Sequence, residues 1–359
     1  MTKLSKILII IQRSNGDVFL SATLINSLYD NYNSPQIDLL VNEDTLSLAK
    51  LLPNVNSIYC FSYDSKHENR WKQEKKIFNN IFRKYDLCIN LTASDRSVIY
   101  AALASKKSIS AIEKDNSKSW WKKLLLSHYY YFDNTKHILL NNLEPLHHLK
   151  ITSNKIQHSI DVSDECLFQV KNKLLKANIN DFIIFHPSAQ YDYKIYPQHN
   201  RKELLTLLNT LGIPIIITGS SSDKDLKIKE TLLPHNNVFD FIGETSLEEY
   251  LALSKLSLGY IGMDTLNMHI AASYNKRIFA IFGPTNLNMW SPWSNKLQKS
   301  ATENRPIQVY DNITIFQANM PCVACGNAGC DNKHGKSECL DHISPQLIFD
   351  SVKAWYENV

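Results

Sequence analysis

Residues 6–32 read KILIIIQRSNGDVFLSATLINSLYDNY, and the order of elements in this stretch decides the fold. A run of aliphatic side chains stops at Gln12, a polar loop containing a Gly-Asp pair follows, and the rest has helical spacing. The pattern predicts a buried strand over 6–11 and a helix over 17–32. A buried strand followed by a short loop and a helix is the repeating unit of a parallel α/β sheet.

The same alternation continues along both halves of the chain, on either side of a polar region at 141–181. It predicts an α/β protein with two doubly wound, Rossmann-like domains that face each other across a cleft. We expect a first domain at 1–160, a second at 175–343 and a closing helix at 344–359. Further strands are predicted at 36–41, 57–61, 86–91, 181–189, 213–220, 258–264 and 277–285, and further helices at 72–85, 95–105, 201–212, 246–257 and 266–275.

Composition narrows the functional class. The chain has 359 residues, of which 44% are hydrophobic and 21% charged, which suits two packed domains. A net charge of only +4 argues against a dedicated nucleic-acid binder but allows acidic small ligands. No apolar run reaches the roughly 18 residues of a membrane span. The opening MTKLSKILIII breaks at Gln12, so we interpret it as a buried strand of a cytoplasmic protein rather than a signal peptide.

Asp17 follows the first predicted strand at the start of a helix, where the helix N-terminus stabilises a carboxylate. The preceding Gly16 lets the backbone turn sharply and leaves room for a substrate at that carboxylate. The position suits a catalytic base, with Gly16 beside the acceptor. A plain N-cap is the commoner role for such an aspartate and stays open.

The stretch GYIGMDTLNMHIAA, residues 259–272, predicts a strand that ends near Asp264 and a helix that opens at Thr265. Backbone N–H groups of a first helical turn form an anion site, to which Thr265 adds a hydroxyl. His269 lies one turn further along, within reach of the same phosphate or sugar. A histidine packed inside the helix layer is the equally reasonable alternative.

Two more loops follow predicted strands of the second domain. In HPSAQYDYKIYP, residues 186–197, Lys194 could reach a diphosphate as a point charge, or simply be a solvated lysine. In IITGSSSD, residues 216–223, Asp223 could accept ribose hydroxyls, or cap the next helix. The donor-binding candidates in these loops are Ser188, Lys194, Thr218, Gly219 and Asp223.

Taken together, the motifs resemble glycosyltransferase family 9, the lipopolysaccharide heptosyltransferases of GT-B fold. The resemblance rests on RSNGDV, KIYP, TGSSSD, and MDTLNMHIAA followed by FAIFGPT, which occur in the family's order along nearly the whole chain. It implies inverting transfer of heptose from ADP-heptose to a sugar hydroxyl of the lipopolysaccharide inner core, without a catalytic metal or other cofactor. Alternatives are a protein (autotransporter) heptosyltransferase and a non-catalytic nucleotide-sugar-binding protein.

The resemblance also implies roles for matching positions. Asp17 resembles the catalytic base, Lys194 the diphosphate-binding lysine, and Asp223 the acidic residue that holds the ribose. Asp264, Thr265 and His269 match the donor-binding turn. The chain has Leu266 where typical members have glycine, and this departure bears on the donor's identity.

A cysteine-rich segment precedes the closing helix. Cys322, Cys325, Cys330 and Cys339 are spaced C-x2-C-x4-C-x8-C. Four thiolates so close together can form a structural Zn or Fe site, whereas free or disulfide-linked thiols without metal are the alternative.

Basic residues suggest where an acidic acceptor binds. Arg83 and Lys84 are the acceptor-binding candidates in the first domain. The stretch 118–132, KSWWKKLLLSHYYYF, mixes lysines with aromatic side chains. It is typical of a helix at the inner face of the inner membrane, or of an amphipathic helix with its apolar side chains packed inward.

Overall fold

The computed structural model of the protein describes residues 4–64, 66–152, 156, 160–232 and 234–358. The chain divides into two compact units, Met1–Ile160 and Asp161–Val359. Among the described residues, no helix combines the length and the apolar character that crossing a bilayer requires.

Unit 1 is a six-stranded parallel sheet with helices around it. Its strands are β1 (Lys6–Ile11), β2 (Gln36–Asn42), β3 (Ser57–Phe61), β4 (Leu87–Asn90), β5 (Ser108–Ile112) and β6 (His128–Tyr131). Its helices are α1 (Asn15–Phe19), α2 (Ala22–Asn31), α3 (Leu46–Ala49), α4 (Lys66–Ile81), α5 (Asp95–Ala104), α6 (Asn116–Leu125) and α7 (Ile138–His148). The strand order β3-β2-β1-β4-β5-β6 is the Rossmann order, which reverses direction between β1 and β4.

Unit 2 is built on the same plan around a seven-stranded sheet of order β12-β13-β11-β10-β7-β8-β9, in which β12 runs antiparallel to its neighbour. Its strands are β7 (Ile183–His186), β8 (Ile215–Gly219), β9 (Val238–Ile242), β10 (Gly259–Met263), β11 (Arg277–Ile281), β12 (Ile307–Tyr310) and β13 (Ile313–Phe316). Its helices are α8 (Asp164–Lys176), α9 (Gln198–Asn209), α10 (Asp223–Leu232), α11 (Leu247–Leu256), α12 (Leu266–Ser273), α13 (Leu287–Trp290), α14 (Glu338–Asp341) and α15 (Pro345–Tyr356). The order reverses between β7 and β10.

Aliphatic side chains explain why the central strands are buried. In unit 1, Ile7 to Ile11 are fully buried, which fits a parallel strand covered by helices on both faces. In unit 2, Ile348, Phe349 and Val352 of α15 join the core, so the last helix completes this unit.

Two predicted elements are divided in the structure. The helix expected at 17–32 is α1 followed by α2, and the break follows Leu20, where the Ser21 hydroxyl bonds the Val18 carbonyl at 2.7 Å. The stretch 118–132 supplies the last turns of α6 and then β6.

Helix α6 packs only some of its apolar side chains inward, because Trp121 contacts the apolar core of unit 1 while others stay exposed. Lys122 is fully buried and pairs with Asp95 and Glu113, whereas Trp120 and Leu124 are 61% and 77% exposed.

Candidate active site

Asp17 lies just past the carboxyl end of β1, on the first turn of α1. Ser14 has extended backbone angles and precedes the helix as its N-cap, so Asp17 is not the cap residue. The Ser14 N–H and hydroxyl donate to Asp17 Oδ2 at 3.3 and 2.6 Å, and Arg13 forms an ion pair with the carboxylate, its Nε lying 2.7 Å from Oδ1. Both carboxylate oxygens are therefore held in a fixed orientation.

The surroundings of Asp17 change its acidity. The residue is only 3% exposed, and this burial raises the pKa of its carboxyl group although Arg13 and Ser14 act to lower it. Arg13 is itself held over the Phe132 ring, with its guanidinium carbon 4.6 Å from the ring centre. A carboxylate with a raised pKa is a stronger proton acceptor than an exposed aspartate.

Not all predicted residues of unit 1 gather at Asp17. Gly16 adjoins it in α1. Arg83 and Lys84 precede β4, and the neighbouring Asp86 carboxylate bonds the backbone N–H of Lys6, where β1 begins. Because β1 and β4 are parallel, these two basic residues lie at the opposite edge of the sheet, about 20 Å of strand away from Asp17. The structure thus does not bring Arg83 or Lys84 to the candidate base.

In unit 2, Lys194 and Asp264 form an ion pair at 2.8 Å. Lys194 ends a short 3₁₀ turn after β7, and Asp264 follows β10, so the pair lies where the strand order reverses. Burial by itself lowers the pKa of Lys194, but the Asp264 carboxylate outweighs burial and the pKa lies above its ordinary value. The lysine therefore stays charged, as a diphosphate-binding group must.

The turn after Asp264 matches the predicted strand–turn–helix geometry. Thr265 is extended at φ −141° and precedes α12 as its N-cap. Its hydroxyl lies 3.3 Å from that of Tyr260, which donates to the Met263 carbonyl at 3.1 Å. His269 is 1% exposed and its ring centre lies 6.2 Å from that of Trp290, so it belongs to the packed interior of this unit.

Thr218 takes part in a buried polar group whose other members, His186 and Asn267, were not predicted. His186 Nδ1 lies 3.0 Å from Thr218 Oγ1 and 2.9 Å from the side-chain nitrogen of Asn267. Burial lowers the pKa of His186 to about 4, although Asp225 acts to raise it. The imidazole is therefore neutral at physiological pH.

Asp225, also not predicted, fixes the loop after β8. Its carboxylate accepts from the hydroxyls of Ser188 and Ser220, and from the Ser220 N–H at 2.5 Å. A Cβ on Gly219 would lie 3.1 Å from this carboxylate, so glycine permits the close approach. Asp223, two residues earlier, is exposed at the first position of α10. A sequence signal for Asp225 existed, because it lies three residues after Ser222, whose hydroxyl accepts the Asp225 N–H at 3.3 Å as an N-cap does.

The cysteine segment does not form the predicted metal site. Cys322, Cys325 and Cys330 are exposed and Cys339 is buried, and all are free thiols. Burial, followed by the neighbouring thiols, raises the pKa of Cys339 to about 12. Within the described ranges, no group of three or more His, Cys, Asp or Glu side chains could hold a metal ion. The structural Zn or Fe prediction is therefore not supported.

The segment instead packs beneath the Lys194 loop. The Ser337 hydroxyl donates to the Tyr193 carbonyl at 2.8 Å. The His334 ring lies 5.9 Å from that of Tyr191 and 5.7 Å from that of Tyr193, measured between ring centres. These contacts support the turn that carries Lys194.

Comparisons with known proteins identify the family to which the chain is similar. The family model of glycosyltransferase family 9 (heptosyltransferase) matches residues 75–315. The chain is 25% identical over 295 residues to lipopolysaccharide heptosyltransferase 3 of Escherichia coli K12, covering 79% of this chain and 84% of the relative.

Solved structures show the same fold. A family 9 glycosyl transferase from Veillonella parvula has a TM-score of 0.76 at 16% identity, covering 99% of this chain and 98% of that one. The ADP-heptose LPS heptosyltransferase II of E. coli has a TM-score of 0.71 at 19% identity, covering 99% and 100%. The predicted fold, α/β with two Rossmann-like units of the GT-B class, is confirmed.

Proposed function

The chain belongs to glycosyltransferase family 9, and on this premise we propose that it transfers heptose from ADP-heptose to a sugar hydroxyl of the lipopolysaccharide core, with inversion at the anomeric carbon. The names of the relatives support the donor and the acceptor class. The environment of Asp17 carries the mechanistic part of the proposal. It is a buried carboxylate of raised pKa, oriented by Arg13 and Ser14 at the carboxyl end of β1.

In the proposed step, Asp17 accepts the proton of the acceptor hydroxyl as its oxygen attacks the anomeric carbon. The bond to the diphosphate breaks with its electron pair, and ADP leaves while the sugar passes through an oxocarbenium-like state. A base in this position contributes roughly 10²- to 10⁴-fold to such a step.

We assign the leaving diphosphate to Lys194, whose charge is secured by Asp264. Thr265 and the first backbone N–H groups of α12 add neutral donors for the same anion. Ser188, Thr218 and Gly219 shape the wall of the site, and the exposed Asp223 is free to accept ribose hydroxyls. The packed position of His269 favours a supporting role behind this wall.

We further propose that α6 of unit 1 rests on an anionic membrane surface, which would bring the enzyme to a lipid-linked acceptor. Trp120 and Leu124 lie one turn apart on its exposed side, Leu125 beside them is 51% exposed, and Lys118 is exposed as well. Replacing Trp120 and Leu124 by serine should reduce co-sedimentation with phosphatidylglycerol vesicles. Trp71→Ser, which removes an 86% exposed tryptophan of α4, is the matched control.

The transfer reaction is tested by incubating the protein with ADP-heptose and a panel of truncated core oligosaccharides that end in Kdo, heptose or heptose phosphate. We expect ADP release together with an oligosaccharide heavier by one heptose, and an inverted linkage by NMR. Asp17→Asn should bind ADP as the wild type does but lose about 10²- to 10⁴-fold in kcat. Near-full activity of Asp17→Asn would overturn the base. Transfer only to a protein acceptor would replace the lipopolysaccharide assignment.

A further inference from the structure

The carboxyl ends of β1, β2 and β4, with the loops that follow them, form what we call the Asp17 edge of unit 1. Gln12 is the first residue after β1, and its backbone N–H donates to Thr92 Oγ1 at 2.9 Å, just beyond β4. It therefore lies where the strand order reverses, the place where open α/β sheets bind ligands. Asn42 ends β2, one residue beyond the Ile11–Val41 register pair, so Gln12 and Asn42 lie side by side.

Alternation along the strands puts both amides on one face. Ile10 and Leu40, two residues earlier, belong to the same apolar cluster. Asn42 also pairs with Phe61 of β3, another member of that cluster. Gln12, Asn42 and Phe61 thus form a row at the carboxyl end of the sheet, above its apolar core.

The two amides are buried without being satisfied. Gln12 is 7% exposed, and neither its side-chain oxygen nor its nitrogen has a hydrogen-bond partner among the described residues. Asn42 is 8% exposed, its oxygen is likewise unpartnered within the described part of the chain, and its nitrogen makes one long bond of 3.5 Å to the Arg13 carbonyl. Buried polar atoms without partners cost folding free energy, so each such atom needs an explanation.

The neighbouring strand shows that the fold can satisfy an amide at this depth. Asn90 of β4 is fully buried, and its nitrogen donates to the Thr92 carbonyl and to Ser110 at 2.7 and 2.8 Å. Its oxygen accepts the Thr92 N–H at 3.0 Å. The fold can therefore satisfy a buried amide beside β1, yet it leaves Gln12 and Asn42 with unpartnered atoms among the described residues.

The cationic side chain of Arg96 lies over Phe61, the last member of this row. The guanidinium carbon of Arg96, on α5, lies 3.7 Å from the centre of the Phe61 ring, and its Nη2 donates to the Tyr63 hydroxyl at 2.6 Å. Its Nε is buried and has no hydrogen-bond partner among the residues that the structure describes. The side chain is fixed by stacking, yet still has an unused donor for an oxyanion.

We propose that Gln12, Asn42 and Arg96 form the subsite that binds an acidic acceptor sugar, with the amides on adjacent hydroxyls and the guanidinium on a carboxylate or phosphate. Each amide both donates and accepts, as a sugar diol does. Arginine is suited to oxyanions because its donors match their geometry. The inference rests on the proposed function, since this sugar would carry the hydroxyl that Asp17 deprotonates.

The experiment compares Gln12→Met with Gln317→Met in the full-length protein. Gln317 is 3% exposed like Gln12, but its oxygen accepts the Arg305 N–H and its nitrogen donates to Asn304. Gln12→Met should raise the acceptor KM about tenfold, as expected for the loss of one or two hydrogen bonds, with the donor KM unchanged. Its thermal midpoint should stay level or rise. Gln317→Met should lower the midpoint and leave the acceptor KM as it was.

The Arg96→Met variant then tests which acidic group of the acceptor sugar, a carboxylate or a phosphate, the guanidinium binds. We expect it to raise KM for the oligosaccharides that end in Kdo or in heptose phosphate, whichever the wild type prefers, and to leave KM for the neutral heptose terminus unchanged. An equal rise for all three termini would show that Arg96 supports the fold and would remove it from the subsite.

The outcomes separate this inference from the proposed reaction. If Gln12→Met keeps the wild-type acceptor KM and lowers the thermal midpoint, its amide is structural and the subsite is overturned, while heptosyl transfer stands. If the wild type transfers to no acceptor but binds an oligosaccharide by calorimetry, and Gln12→Met weakens that binding, the reaction fails and the subsite stands. Absence of both transfer and binding would remove both.

Discussion

The two units share one sheet plan, but the polar groups at the carboxyl ends of their strands differ in how far they are hydrogen-bonded. At the Lys194 edge, formed by the carboxyl ends of β7, β8 and β10 with their loops, polar side chains bond one another, as in the Lys194–Asp264 pair. At the Asp17 edge, Ser14 and Arg13 bind the carboxylate and the Asn90 amide is satisfied, but the amides of Gln12 and Asn42 are buried without partners for three of their four atoms among the described residues.

This difference suggests two ways of preparing a site. A diphosphate carries charge into the site, so its binding groups must be charged and oriented in advance, which mutual bonding achieves. A sugar brings its own donors and acceptors and can satisfy amides that the protein leaves open. We therefore expect substitutions at the Lys194 edge to destabilise the protein, and substitutions at the Asp17 edge to be neutral or stabilising.

The largest effect should follow from Lys194→Met. Asp264 is 6% exposed, so removing its partner leaves a buried carboxylate unpaired and should cost roughly 3 kcal/mol of unfolding free energy, together with a large loss of donor affinity. Urea unfolding and ADP titration measure the two. Adding Asp264→Leu should restore stability but not ADP binding.

Lys224→Met is the control for this substitution. Lys224 pairs with Asp192 at 2.8 Å, but the side chains are 35% and 66% exposed, so the loss should stay below about 1 kcal/mol. Equal losses in the two variants would show that the Lys194 pair is no more than a surface contact.

A pH-dependent loss should follow from His186. Its folded-state pKa of about 4 lies below the ordinary 6.5, so the unfolded chain binds the proton more readily. Stability from this group is complete above pH 6.5 and falls as the pH drops towards 4, by about 3 kcal/mol in all. His186→Gln should flatten the unfolding free energy over this range, whereas the exposed His342→Asn should keep the wild-type slope. A parallel slope in His186→Gln would contradict the assignment.

A smaller loss is expected for Asp225→Asn. The change weakens charge-assisted bonds from Ser188 and Ser220 and leaves the buried Arg201 without its nearby negative charge. We expect about 2 kcal/mol by urea unfolding. Asp223→Asn, at an exposed site two residues away, should cost almost nothing in stability. If both variants unfold alike, Asp225 does not fix the loop.

Sequence patterns predicted the elements whose burial is aliphatic. The strands at 6–11 and 57–61 were predicted with the bounds that the structure has. Strand β5, SISAI, was missed because buried serines look like a polar turn, yet Ser110 bonds the Asn90 amide inside the sheet. Strands β6, β9, β12 and β13 were missed as well.

Candidate site residues could be predicted from the sequence where the surrounding segment alone indicates their position, as for a charged residue that follows a strand. Asp17, Lys194 and Asp264 each follow a strand, and the structure brings the last two together. His186 and Asn267 could not be paired from the sequence, because they are separated by 81 positions and meet only after β7 and β10 align.

The smallest expected effect is the change in stability of the Asp17→Asn variant. Its sign is opposite to that of the preceding variants, because Asp17→Asn should be more stable than the wild type. Burial raises the pKa of Asp17, so the folded protein holds its proton more tightly than the unfolded chain does, and keeping the group ionised costs stability as the pH rises above 3.8. Asparagine removes that cost, and Arg13, being 24% exposed, can turn to water. We expect the variant to equal the wild type near pH 3 and to exceed it at pH 7, by less than about 1 kcal/mol.

That gain would accompany the loss of turnover already expected for the same variant, so the wild-type enzyme would hold its base at the expense of stability. A variant less stable than the wild type at pH 7 would mean that the bonds from Arg13 and Ser14 outweigh burial. The Asp17 edge would then be held together by its own groups just as the Lys194 edge is, and the contrast between the two units would rest on Gln12 and Asn42 alone.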